Sequence, residues 1–232
     1  MEPNLEKSNT AVTEKPSIFG VITSPVVQFK RLKEKPVIGI PLLIVIILIA
    51  AGSILRGLGM NYEEVLNSSS LDGLTDDQIE MTKTFAKFGT MFGGIFGGII
   101  ALFIVPLIYW LCVKISGGVT TYKKMLSLSL FTAFITNIGL VINGLVTYFT
   151  GAGSLYAVTS LASVIPAGDG VAVFLSAFDI FSIWSYILLA LGLRYTGGIS
   201  KKAAWTSAIV LFVIMLLVSA VGGLLSSVTA GV

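Results

Sequence analysis

Histidine is absent from this sequence, and cysteine occurs once, at Cys112. Without histidine there is no Ser-His or Cys-His nucleophile pair and no histidine-held metal centre. One cysteine cannot close an internal disulfide, and in its apolar run Cys112 reads as a small inert hydrophobe. Charge is scarce as well. Only 12% of the 232 residues are Asp, Glu, Lys or Arg, against about 25% in a soluble domain. The net charge of +3 is too mild to argue for nucleic acid. No stretch matches a phosphate-binding loop, and no cofactor is expected. The apolar spans hold one acid, so the paired acids of an aspartyl intramembrane protease are missing. The first 36 residues lack an early apolar core and a small-residue cleavage site, so no cleavable signal peptide is expected.

Apolar residues, by contrast, make up 55% of the chain. A membrane helix needs about 20 mostly apolar residues. Five stretches qualify: Val37–Leu58, Phe88–Val113, Met125–Phe149, Val171–Leu193 and Trp205–Leu225. The expected fold is all-α, a polytopic bundle of five membrane helices preceded by a short interfacial helix. The expected organisation is a flexible cytoplasmic tail over residues 1–16, an amphipathic helix over 17–36, the membrane domain over 37–225 and an external tail over 226–232.

Cytoplasmic loops collect Lys and Arg. Lys7, Lys15, Lys30, Arg31, Lys33 and Lys35 precede the first span. Lys114, Lys123 and Lys124 lie between the second and third, and Arg194, Lys201 and Lys202 between the fourth and fifth. These are 12 of the 15 cations, and alternation puts them all on one side. The other side has Arg56, Lys83 and Lys87 with seven acids, among them Glu63, Asp76 and Asp77. A cytoplasmic N-terminus and an external C-terminus follow. Tyr109, Trp110, Tyr122, Tyr195 and Trp205 fall near the inner interface and Tyr62, Tyr148 and Tyr156 near the outer, the depths such rings prefer.

Two cytoplasmic turns repeat one phrase, "KISGGVTTYKK" from Lys114 and "RYTGGISKKAA" from Arg194. In each, Gly-Gly ends a helix, because glycine accepts a left-handed backbone cheaply. The following hydroxyl residue can cap the next helix. The two hairpins are either a parallel internal repeat or convergent turn chemistry. Before the first span, Ser24-Pro25 reads as a helix start. The helix that follows has Val26 and Phe29 on an apolar side and Lys30, Arg31, Lys33 and Lys35 on a basic one. It is expected either to lie on the membrane, drawn to anionic lipid, or to pack on the cytoplasmic ends of other helices. On the outer side, "TDDQ" from Thr75 has capping-box spacing and predicts a helix running from about Asp76 into the second span.

Asp179 is the acid within a span, about 12 Å from its outer end at 1.5 Å per residue. Such acids are functional candidates. Asn137 and Asn143 bracket its depth, and Arg56 is within possible reach. The expected role of this cluster is a polar clasp between helices, with a proton or ion site as the alternative. Gly89, Gly93 and Gly97, and Gly94 and Gly98, recur at the four-residue spacing that lets helices approach closely. Internal packing is the expected use and a homo-oligomer interface the other. Pro106 is expected to kink the same helix.

The stretches "IFGVITSPVVQFKRLKEKP", "GGVTTYKKMLSLSLFTAF" and "RYTGGISKKAAW" together resemble the Yip1 family of five-span membrane proteins. The resemblance runs from about Ser17 to Leu225, and the short tail and small loops look like its bacterial branch. It brings no catalytic residues. Eukaryotic members serve vesicle traffic with small GTPases, a role not carried over here. Some bacterial relatives look like accessory partners of transport systems, including ABC-type exporters. The expected function is therefore non-catalytic: assisting, assembling or regulating a membrane complex, with lipids and transporter subunits as partners. The rival is a small transporter or channel that uses Asp179.

Overall fold

The computed structural model describes residues 14–66, 71, 73–150 and 157–230. Their regular elements are helical, apart from one isolated antiparallel bridge between Ser160 and Asp179. In chain order the helices are α1 (Gly20–Thr23), α2 (Pro25–Glu34), α3 (Gly39–Gly59), α4 (Tyr62–Val65), α5 (Asp76–Ile115), α6 (Tyr122–Thr150), α7 (Asp169–Ser176), α8 (Ile180–Tyr195) and α9 (Lys201–Ala230). Leu161–Ser163 forms a 3₁₀ turn. Helices α3, α5, α6 and α9 are long and apolar enough to cross a membrane, and α8 is a shorter apolar helix of 16 residues. Most of the predicted tail (residues 1–13) and Tyr156 lie outside the described residues. Helix α9 runs to Ala230, five residues past the predicted end of the fifth span.

Contacts divide the chain into two compact units. The first comprises Met1–Val45, Ile100–Thr136 and Trp184–Phe212. Its centre is the first half of α6, where Met125, Leu128, Leu130, Phe131 and Ile135 are fully buried. A helix apolar all round belongs inside other helices, and this one is. Its buried hydroxyls are satisfied locally: Ser129 donates to the Leu126 carbonyl at 2.9 Å and Thr132 to the Ser129 carbonyl at 3.0 Å. Ser127 takes the Val37 amide at 3.0 Å and donates to the Val37 carbonyl at 2.6 Å, which fixes the entry to α3. Helix α2 starts at Pro25 as predicted. It buries Gln28, Phe29 and Leu32, and Thr196 donates to the Phe29 carbonyl at 2.8 Å. It is thus packed onto the unit, with Lys30 and Lys33 outward and the Arg31 side chain largely covered.

The two glycine turns meet in this unit. Gly117 (φ 74°) ends α5, and the Gly118 amide reaches back to the Val113 carbonyl at 2.9 Å. After α8 the left-handed residue is Gly198 (φ 76°), the second of its pair, and Ser200 caps α9 through the Ala203 amide at 3.2 Å. The same phrase therefore places its left-handed residue differently in the two turns. The other glycine of each pair makes room for the neighbouring hairpin. A Cβ on Gly118 would meet Ile199 at 2.6 Å, and one on Gly197 would meet Val113 at 2.8 Å.

The second unit comprises Ile46–Ile99, Asn137–Ile183 and Val213–Val232. Here α3 is gripped on two sides by glycine contacts. A Cβ on Gly52 would meet Leu140 at 2.6 Å, one on Gly144 would meet Leu55 at 2.9 Å, and one on Gly59 would meet the Tyr148 backbone at 2.5 Å. These pairs rise together along α3 and α6, so the two run parallel. Against α5 the order reverses, with Ser53 at Gly94 and Ile49 at Gly98, so that pair is antiparallel. Close approach of this kind holds helices together where lipid removes the hydrophobic driving force. At the start of α5 the Gln78 side chain accepts from the Thr75 amide at 2.9 Å, half of the predicted capping box. The helix then continues unbroken from Asp76 through Pro106 to Ile115.

Candidate functional site

The predicted fourth span, Val171–Leu193, is not one helix. It breaks between Ser176 and Ile180, and Asp179 sits in the break. Aspartate is a poor residue for a helix interior but a strong helix cap. Its Oδ1 accepts the Ser182 amide at 2.9 Å, the bond of an N-terminal cap, so α8 starts just after it. Broken backbone among apolar helices needs its polar groups satisfied. The segment before α7 does this: the Leu161 amide donates to the Phe178 carbonyl at 3.2 Å and the Ile180 amide to the Thr159 carbonyl at 3.3 Å.

The second carboxylate oxygen of Asp179 accepts from the Thr159 hydroxyl. Thr159 is tied to Asn143 of α6. The Asn143 side-chain amide donates to Thr159 Oγ1 at 2.8 Å and to the Gly139 carbonyl at 2.8 Å, and its oxygen accepts the Thr159 backbone amide at 3.1 Å. A three-residue clasp, Asn143–Thr159–Asp179, thereby joins α6, the loop and the start of α8. Asp179 is 8% exposed and Thr159 half-buried. The ring of Phe181 lies against Gly139, where a Cβ would come within 2.6 Å.

Of the four residues predicted to cluster, the structure joins Asn143 and Asp179, through Thr159. The hydrogen bonds described for Asp179 do not include Asn137 or Arg56. Asn137 stands half-buried nearly two turns before Asn143, and the Arg56 backbone runs beside Gly144. Thr159 was missed, being one hydroxyl in a mildly apolar loop 20 residues from Asp179. The D-x-x-S spacing of Asp179 and Ser182 was the available sign of a cap.

The glycine stripe of α5 also divides. Gly94 and Gly98 meet α3, whereas a Cβ on Gly89, Gly93 or Gly97 would meet nothing within 4 Å. The predicted packing role is thus corrected at those three positions within this chain. They share a surface with Phe88, Phe92 and Phe96, which stack in succession at 6.1 and 6.3 Å and stay half or more exposed. Gly52, Gly57, Gly59 and Gly144 pack closely and were not singled out.

The basic residues expected at the inner surface, Lys30, Arg31, Lys33, Lys35, Lys114, Lys123, Lys124, Arg194, Lys201 and Lys202, all belong to the first unit. Arg31 pairs with Glu14. Lys30 and Arg194 both approach the Tyr195 ring, at 5.6 and 4.9 Å from its centre, and Lys114 approaches Trp110 at 5.5 Å. The second unit holds Arg56, Lys83 and Lys87. Its Lys83 pairs with Glu63 and holds that carboxyl below its ordinary value, through a hydrogen bond first and its charge second.

The Yip1 domain family matches residues 19–222. The chain is 57% identical over 228 residues to Membrane protein YknW of Bacillus subtilis (strain 168), an alignment covering 98% of this chain and 99% of that relative. No solved structure matches it. Helices long and apolar enough to cross a bilayer, basic turns closed by Gly-Gly and a family match over nearly the whole chain agree: this is an integral membrane protein of the Yip1 family.

Proposed function

We propose that this chain is a non-catalytic membrane protein that assists, assembles or regulates a partner membrane complex, an ABC-type exporter being the leading case. The observation that carries this reading is how Asp179 is used. Its two oxygens take the Ser182 amide and the Thr159 hydroxyl, so the one acid within the five predicted spans is engaged in holding the fold. It also occupies the positive end of the α8 dipole, the place where a broken helix would otherwise receive an anionic substrate. Helices α5 and α9 keep long apolar faces, including Phe92, Phe96, Ile104, Leu107, Leu217 and Val218, available to lipid or to partner helices. In the proposed topology the chain crosses five times, the N-terminus is cytoplasmic and the C-terminus is external. The basic turns then meet the inner leaflet.

The second reading, a small transporter using Asp179, draws on the broken helix itself, since interrupted helices line many transport sites. Purification from native membranes in mild detergent separates the two. Recovery of transporter subunits with the chain supports the accessory role. Solute or ion movement by the chain alone in liposomes, with no protein co-purifying, supports the transporter.

A further inference from the structure

Four residues of the first unit converge at one surface. Lys30 and Arg194 approach the same Tyr195 ring, at 5.6 and 4.9 Å from its centre. Lys33, one turn after Lys30, brings its Nζ to 3.9 Å from where a Gly198 Cβ would stand. Two segments distant in sequence thus bring two cations to one ring and a third to the turn that follows it. The first turn of α9 then adds Lys201 and Lys202. The ion pairs among the described residues, Arg31–Glu14 and Lys83–Glu63, include none of the three. Gathering like charges costs energy unless an anion is present to accept their hydrogen bonds.

The placement is not a matter of loose side chains. Helix α2 is held by buried Phe29 and Leu32 and by the bond from Thr196, the residue after Tyr195, to the Phe29 carbonyl. Lys30 is therefore presented at the Tyr195 ring with Arg194, and Lys33 beside Gly198, and all three remain wholly or partly exposed. Exposed apolar side chains precede them along α1 and α2. Val27, one turn before Lys30 on its face, is 37% exposed, Ile22 of α1 is 43% exposed, and Phe19 just before α1 is 62% exposed. Cations beside exposed apolar side chains suit a ligand with an anionic head and an apolar body.

We propose that Lys30, Lys33, Arg194 and Tyr195 form a binding site for the phosphate headgroup of an anionic phospholipid. The guanidinium and the two ammonium groups take the phosphate oxygens. Val27 and Ile22 lie against the first part of the acyl chains. Tyr195 holds Lys30 and Arg194 in place by cation–π attraction. This proposal does not depend on the identity of any partner complex.

The test uses the detergent-purified full chain in native mass spectrometry, titrated with dioleoylphosphatidylglycerol or dioleoylphosphatidylcholine. The expected result is one tightly held phosphatidylglycerol at concentrations where phosphatidylcholine does not bind. Lys30→Gln with Lys33→Gln is expected to weaken it about tenfold or more. Lys83→Gln with Lys87→Gln removes the same charge from the second unit and is expected to leave it unchanged. Equal binding of both lipids, or equal weakening by both double variants, would overturn the site. So would displacement of the lipid by inorganic phosphate at matched concentration, which would mark a site for the free ion. Should the first double variant fail to fold, Lys33→Gln alone is expected to weaken binding at least threefold, and no change there would equally overturn it.

Discussion

Ile199 of one glycine turn occupies the space that a side chain on Gly118 of the other turn would need, its Cγ2 lying 2.6 Å from that Cβ position. The contact accounts for a phrase written twice in the chain. Each Gly-Gly pair supplies one residue for the left-handed exit from a helix and one for the neighbouring hairpin.

Gly118→Ala is therefore expected to destabilise the protein by about 1–3 kcal/mol, the usual cost of overpacking. Thermal unfolding in detergent would show it. Pairing the change with Ile199→Ala should return part of the loss, the rest coming from Val113 Cγ1, 2.7 Å from the same position. Additive losses would mean the two turns do not touch.

On α5, Gly94→Ile and Gly98→Ile should each lower the unfolding temperature, because Ser53 and Ile49 stand in the way. Gly93→Ile and Gly97→Ile should leave the isolated chain unaffected or slightly more stable. Equal losses in all four would remove the assignment of faces.

The contrast on α5 shows what spacing can and cannot say. Glycines four apart announce a helix surface with room for a neighbour, and this helix has two such surfaces. Which one meets α3 depends on how the helix is rotated against Ser53 and Ile49, and neither residue carries that information locally. The five apolar runs, the start of α5 at Asp76 and the basic turns were legible because length, capping chemistry and charge are local properties. The break at Asp179 was not. It needs Thr159 and Leu161 to pair with the exposed backbone, and those partners come from a loop that reads only as mildly apolar. The left-handed residue of each turn was legible as one of two glycines, but its position within the pair is set by the neighbouring hairpin.

Lys83 holds the Glu63 carboxyl below its ordinary value, through a hydrogen bond first and its charge second. The sign follows directly: a depressed carboxyl favours the folded state above its unfolded pKa, and the effect fades as pH falls through the lower folded value. Glu63 is fully exposed, so the expected contribution is small and screened by salt. Lys83→Gln should move the Glu63 titration, followed by NMR of the labelled side chain, back up toward that of an ordinary glutamate. A titration that the substitution does not move would show that the pair does not form.

The proposed topology gives a sharp expectation for the C-terminus. A reporter active only in the cytoplasm, fused after Val232, should give no signal, whereas the same reporter before Met1 should be active. Activity at Val232 would require an even number of crossings and would remove the five-span arrangement.

The most direct measurement concerns Asp179, on which the accessory and transporter readings part. Asparagine keeps the cap on α8 through its oxygen and can donate its amide to Thr159 Oγ1, but cannot carry charge, whereas leucine removes both contacts. Loss of the cap should cost about 0.5–2 kcal/mol. The measurement is the activity of the assembled complex in native membranes with Asp179→Asn and with Asp179→Leu. A structural clasp predicts near-full activity with asparagine and a clear loss with leucine, accompanied by a lower unfolding temperature. Equal loss with both, in proteins that fold as well as the original, would contradict it and assign Asp179 to the movement of a proton or ion.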